Sequence, residues 1–288
     1  MEKKFDEAAI TAFTPAEKIG LIATINAQGL PHITLLTSIM AKDEHTLMLG
    51  QFCEGLSKLY LSQQRQAGFL VMTLDRRLWR GKALWRGSVR EGEDYHLYNE
   101  IPMFRYNTYF GINTVHYLDL VETTLAESLP IAKIALALIG GIATKPFVTR
   151  AFTGSPCGSS TKEAVFNPFT HALLRSPSSL KFLAFIDEDG FPSITPVLQA
   201  LVLGCRRLFV SPLAYGGELA KIPQGATVAL FCLNLAMESV LLRGVWSGFR
   251  RYFIGKGSVL DVDWVYNSMP PCHGQIYPPV PLVPIREF

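Results

Sequence analysis

The chain has 288 residues, of which 49% are hydrophobic and 18% charged, with a net charge of +3. This composition excludes a disordered chain and supplies core for two domains of ordinary size. Arg76-Arg77, Arg206-Arg207 and Arg250-Arg251 are isolated basic pairs, so no Lys/Arg stripe marks a nucleic-acid binder.

Residues 1–20 read as a helix, with Phe5, Ala8, Ala9 and Ala12 at helical spacing and Thr14-Pro15 as a break. Strands are expected over 21–25, 33–40, 46–50, 68–74, 81–90 and 115–121, with a turn at Gly29 between the first two. A helix over 54–65 carries Leu56, Leu59 and Tyr60 on one face, and a short helix follows over 94–100. Strands in meander order around one inserted helix predict a small closed antiparallel barrel, because closure removes exposed edges.

Residues 126–142 read as helix, ended or kinked at Gly140-Gly141. The apolar run 131–143 contains Lys133 and lies between Pro130 and Pro146. It is shorter than the ~20 residues of a membrane span, so a core or linker helix is expected. The loop 154–161 resembles a phosphate cradle in composition but lacks the Gly-Lys-Ser/Thr ending. A helix over 163–174 and Ser176-Pro177 then mimic the N-terminus. Strands follow over 182–186, 194–202, 208–211, 227–232 and 239–246, and 277–284 is a Pro-rich extended tail.

The second half repeats the first. Residues 21–34 match 182–195 at an offset of 161 (Gly29 to Gly190), and Leu84-Trp85-Arg86-Gly87 matches Leu241-Leu242-Arg243-Gly244 at 157 (Gly87 to Gly244). Solenoid repeats span about 20–50 residues, so this is a duplicated domain. The division is 1–125, a helical linker over 126–162, and 163–288.

Five cysteines without a Cys-x-x-Cys pair, and no apolar leader in residues 1–7, point to reduced thiols in a cytoplasmic protein. His32, His45, His96, His116, His171 and His273 have no metal-ligand spacing, so no metal is expected. Asp187 and Asp189 read as turn residues, and Arg86 and Arg243 as outward strand charges or contacts to an anion.

The order strand, Gly-x-Pro turn, strand, strand, Ser57-Lys58 helix, strand, and strand with Arg86-Gly87 resembles the FMN-binding split barrel of the pyridoxamine 5′-phosphate oxidase-like proteins. The resemblance implies a mainly β, α+β chain of two tandem antiparallel split barrels packed as a pseudo-dimer, with FMN at the interface. It implies that Thr34, Leu35, Leu36 and Thr37 line the flavin and that Gln51 ends the third strand. Ser57 and Lys58 would meet the phosphate, and Lys82 would lie near the ring. Physics supports the phosphate site independently: a helix N-terminus has unpaired N–H groups, Ser57 adds a hydroxyl and Lys58 a charge.

In the second copy Glu218 stands near the place of the Ser-Lys pair, followed by Lys221, so that site is expected to be lost. Trp246, Arg250 and Tyr277 are candidates for the far wall of the first site. The expected function is an FMN-binding oxidoreductase acting on a small molecule, with no catalytic side chain named. No nucleic acid and no membrane is expected as partner, and further homo-oligomers are left open. Two alternatives stand beside it. One is a non-enzymatic ligand-binding or sensor barrel that has lost flavin; the other is a haem-handling barrel with His116 or His273 as ligand.

Overall fold

The computed structural model describes residues 1–53, 55–106, 111–152, 164–252, 255–268 and 274–281. The expected loop 154–161, together with Tyr109, Phe110, Cys157, Cys272, His273 and the end of the Pro-rich tail, lies outside them.

The first half runs α1 (Glu7–Phe13), β1 (Ile19–Ile25), β2 (Pro31–Leu35), β3 (Met40–Ala41), β4 (Thr46–Gln51), α2 (Leu56–Gln63), β5 (Gln66–Met72), β6 (Arg77–Val89), α3 (Glu93–Glu100), α4 (Pro102–Tyr106), β7 (Thr114–Thr123) and β8 (Glu127–Ser128). The second runs α5 (Ile131–Phe152), α6 (Pro168–Arg175), β9 (Leu180–Ile186), β10 (Pro192–Pro196), β11 (Leu201–Leu203), β12 (Arg207–Val210), α7 (Gly216–Leu219), β13 (Thr227–Leu233), β14 (Ser239–Trp246), β15 (Arg250–Arg251), β16 (Lys256–Asn267) and β17 (Gly274–Tyr277). Helices and two antiparallel sheets make this an α+β protein. Compactness divides it into residues 1–130 with 184–194, and residues 131–183 with 195–288.

The first sheet has the order β2-β1-β5-β6-β7-β4-β3. Its edge strands β2 and β3 are consecutive in the chain. Seven flat strands would set these edges about 29 Å apart, whereas the link 36–39 reaches at most about 18 Å. The sheet must therefore curl until its edges approach. The expected closed barrel is corrected here: among the described residues the edges are joined by the chain and not by a hydrogen-bonded ladder. The cause is that the expected strand 33–40 is not one strand. It bends where the Ile39 amide donates to the Leu36 carbonyl at 3.2 Å. The Leu36 amide donates to Gly20 and the Ser38 hydroxyl to the Gly50 carbonyl, which pins the corner. A Cβ at Gly20 would overlap the Leu36 carbonyl, so glycine lets the corner lie against β1.

The second sheet, β10-β9-β13-β14-β16-β12-β11, follows the same winding. Its corner repeats the bonds: the Val197 amide donates to Lys181, Ala200 to Val197, and the Gln199 side chain to the Ser211 carbonyl. The long strand β16 was not expected from the sequence, because the segment carrying it has no counterpart in the matched stretches.

The first unit's core fills the curl. Phe5, Phe13, Ile22, Leu49, Phe69, Val71, Trp79 and Leu118 are all buried in one cluster. Phe5 meets Phe13 and Phe69 edge-on, and Phe13 meets Trp79. α1 starts where Asp6 accepts from the Ala9 amide, which caps its open end. It buries Ala9, Ala12 and Phe13.

α5 does not stop at Gly140-Gly141. Gly141 lies against Leu201 and Phe209, where a Cβ would meet Leu201 at 2.7 Å, so it serves close packing and not termination. Val148, Leu203, Phe209 and Val259 form a core cluster under this helix.

Candidate anion site

Ser57 and Lys58 open α2, an eight-residue helix whose N-cap, Gly55, offers no side chain. The amides of Lys58 and Leu59 turn back to the Gly55 carbonyl, leaving those of Leu56 and Ser57 at the head of the helix. Ser57 is 1% exposed, and among the described residues its hydroxyl has no hydrogen-bond partner. Such a buried orphan costs about 1–3 kcal/mol. Lys58 is half-buried, and among the described residues no carboxylate pairs with it. Burial pulls its ammonium below the ordinary lysine range, against an upward pull from Cys53. A Cβ at Gly55 would stand 3.8 Å from the Lys58 Nζ, so the missing side chain keeps the approach to that charge open.

Gln51 and His116 stand beside this pair. β4 and β7 align Leu49 with His116 and Gln51 with Thr114. The His116 Nε2 lies 2.7 Å from the Gln51 Oε1, and the Trp85 Nε1 donates to Nδ1 at 3.3 Å. An indole N–H can only donate, so Nδ1 accepts and the proton sits on Nε2. Burial first, and the Lys58 charge second, push the His116 pKa down to about 4. The imidazole is neutral, and both its nitrogens are occupied, which leaves none to ligate haem iron in this arrangement.

The structure thus groups Gln51, Ser57 and Lys58. α2 also packs on β1 and β2, the latter carrying Thr34 and Leu35, with Tyr60 edge-on to His32 at 5.3 Å. Thr34, Leu35 and Thr37 are half-buried and Leu36 is buried. Among the described residues β2 pairs only with β1, which leaves the backbone groups of its other edge unpaired there.

Lys82 belongs to a different group. Its Nζ lies 2.6 Å from Asp189, 3.0 Å from Asp187 and 3.3 Å from Glu122, so all three ammonium donors meet carboxylates. Asp187 and Asp189 are therefore ion-pair partners as well as turn residues. Arg86 is an outward strand charge, paired with Asp119 at 2.9 Å with both side chains about half exposed. Arg243 lies over the Trp264 ring at 3.8 Å.

In the second copy Glu218 is the third residue of α7, a four-residue turn of helix, and accepts from the Thr195 hydroxyl at 3.0 Å. Thr195 is the counterpart of Thr34. The carboxylate thus sits against the position where the first copy keeps a half-buried threonine.

His116, expected only as a haem ligand, and Gly55 were not foreseen as members of the site. The polar His116 inside the apolar run of β7 was the available signal, but its partners come from β4 and β6. No group of three His, Cys, Asp or Glu side chains able to hold a metal occurs among the described residues.

No protein-family model matches the chain, and no curated protein does. Among solved structures it is similar to an FMN-binding protein from Syntrophomonas wolfei subsp. wolfei, at 16% identity over 43% of this chain and 86% of that one, with TM-score 0.37. It is also similar to a FAD-binding protein from Mesorhizobium loti, at 13% identity over 42% and 93%, with TM-score 0.31. A pyridoxamine 5′-phosphate oxidase candidate from Lactobacillus delbrueckii is similar at 15% identity over 43% and 96%, with TM-score 0.34.

Proposed function

We propose that the first unit binds a phosphorylated flavin, FMN, and serves as a flavin-dependent oxidoreductase for a small molecule. One observation carries the reading. Among the described residues, a buried hydroxyl without a partner and a lysine without a counter-ion stand together at the head of α2. A phosphate dianion would satisfy Ser57 Oγ, pair with Lys58 and meet the positive end of the helix.

In this reading Ser57, Lys58 and the first amides of α2 hold the phosphate. Gly55 leaves space for it, and the free edge of β2 with Thr34–Thr37 offers backbone groups to the ring. When bound, the flavin supplies hydride transfer, and the protein supplies binding and orientation. His116 is a positioning residue: it holds the Gln51 amide while staying uncharged beside Lys58. The second copy keeps the winding without the anion site, so one flavin per chain is the expected stoichiometry.

The test compares FMN with riboflavin, which lacks the phosphate, by quenching of flavin fluorescence. FMN should bind the wild-type chain, and Lys58→Glu should abolish that binding while leaving the circular dichroism intact. Equal affinity for FMN and riboflavin in the wild type would falsify the phosphate assignment.

A further inference from the structure

α5 is the longest helix in the described residues and carries no acid over residues 131–152. By length and composition alone, Ile131–Ala151 is long and apolar enough to cross a membrane. One side of it is committed to the protein. Ile134, Ala137, Gly141, Thr144 and Val148 are buried at spacings of three and four, and the helix packs on β11 and β12. A helix buried along that whole stripe is not free to cross a bilayer alone.

Over residues 131–147 the opposite side is equally apolar and faces outward, with exposed Arg150 on the same side only in the last turn. Leu136 is 61% exposed, Ile139 67% and Ile142 62%, with exposed Ala132, Ala135 and Ala143 between them. At about 100° per residue these positions fill one face, centred on Ile139. Lys133 and Lys145 fall about 120° to either side of that centre, and both are exposed. They flank the apolar face as lysines do on helices lying in a lipid interface, stems along the apolar surface and ammonium groups at headgroup level. A second helix adds charge on the Lys145 side: the Lys145 and Arg175 charges both bear on His171 of α6. α6 also contains no acid. A second protein would need to offer a long apolar groove rimmed by acids, whereas an anionic bilayer offers both features along any direction in its plane.

We propose that α5 is a membrane-surface helix, which seats Leu136, Ile139 and Ile142 in the acyl boundary of an anionic bilayer with Lys133 and Lys145 among the headgroups. It lies in the plane of the surface for about 33 Å. The proposal departs from the expectation of no membrane partner. The proposal does not depend on flavin binding, since its residues are all outside the anion site.

The test is flotation of the full chain with vesicles of phosphatidylcholine alone and of an equal mixture of phosphatidylcholine and phosphatidylglycerol. The chain should float with the mixture and remain behind with phosphatidylcholine. Ile139→Asp should lower partitioning at least about tenfold, as expected for losing one buried aliphatic side chain. Lys133→Glu and Lys145→Glu should each lower it roughly fivefold. All three positions are exposed, so thermal unfolding of each variant should match the wild type. Flotation that is absent, insensitive to Ile139→Asp, or equal with both vesicles overturns the proposal. So does a chain that runs as a dimer without lipid and becomes monomeric on Ile139→Asp, because the face would then belong to a second copy.

Discussion

The Lys82 ammonium lies 2.6 Å from the carboxylate of Asp189, a residue 107 positions further along the chain. Asp187 and Glu122 complete the cluster around a lysine that is 7% exposed. Burial alone would lower the lysine's affinity for its proton. The Asp189 and Asp187 hydrogen bonds and charges outweigh that and hold it above the ordinary range. Lys82→Met leaves three carboxylates facing one another. It should destabilise the chain by about 2 kcal/mol, less than a fully buried pair because Asp189 is half exposed. Urea unfolding measures this, and adding Asp189→Asn should restore part of the loss. The Lys82 proton is bound more tightly in the folded state, so this contribution is whole below the unfolded lysine pKa and fades as pH rises beyond it.

His116 gives the opposite pH dependence. Its folded pKa is about 4, against an ordinary 6.5. Below 6.5 the unfolded chain takes up a proton that the folded site refuses, so stability falls as pH drops from about 6.5 towards 4. His116→Gln should flatten the melting temperature across that window. The imidazole resonances of His116 should titrate near 4 without ligand and move upward when inorganic phosphate neutralises Lys58.

Ser57→Ala removes a buried hydroxyl that has no partner among the described residues. The ligand-free chain should unfold at the same or a slightly higher temperature, while FMN and inorganic phosphate bind about tenfold more weakly. A fall in melting temperature with unchanged phosphate binding would show that the hydroxyl serves the fold instead.

Gly55 and Gly68 should separate site from scaffold. Gly55 has an extended backbone, and its added Cβ meets only Lys58, at an ordinary contact distance. Gly55→Ala should therefore change stability by no more than about 0.5 kcal/mol while weakening FMN binding. A Cβ at Gly68 would overlap the Pro192 carbonyl, which is backbone and cannot swing aside. Gly68→Ala should cost about 3 kcal/mol, read by urea unfolding.

Much of the strand order was legible because most of the expected strands are short apolar runs closed by a turn residue such as Gly29 or Gly190. The bend at 36–39 was not, because Leu36-Thr37-Ser38-Ile39 continues the β-like composition on both sides. Its turn depends on hydrogen bonds to Gly20 and Gly50, which local pattern does not encode. Ser57-Lys58 could be singled out because a helix start advertises itself locally. His116 could not be joined to them, since its partners come from strands distant in sequence. The outward face of α5 was hidden for a related reason: an apolar run looks alike whether both of its sides are covered or one.

Gln51 and His116 are 65 residues apart, and their bond exists only once β4 has paired with β7. The β1–β2 and β5–β6 hairpins close short loops, whereas this ladder must first bear the entropy of a long one. The candidate anion site is thus expected to form late in folding. A phosphate ligand cannot nucleate the early hairpins; it can only slow the escape of a chain that has already completed the sheet. FMN should lower the unfolding rate and leave the refolding rate unchanged in stopped-flow measurements, and faster refolding with FMN would place the site early instead.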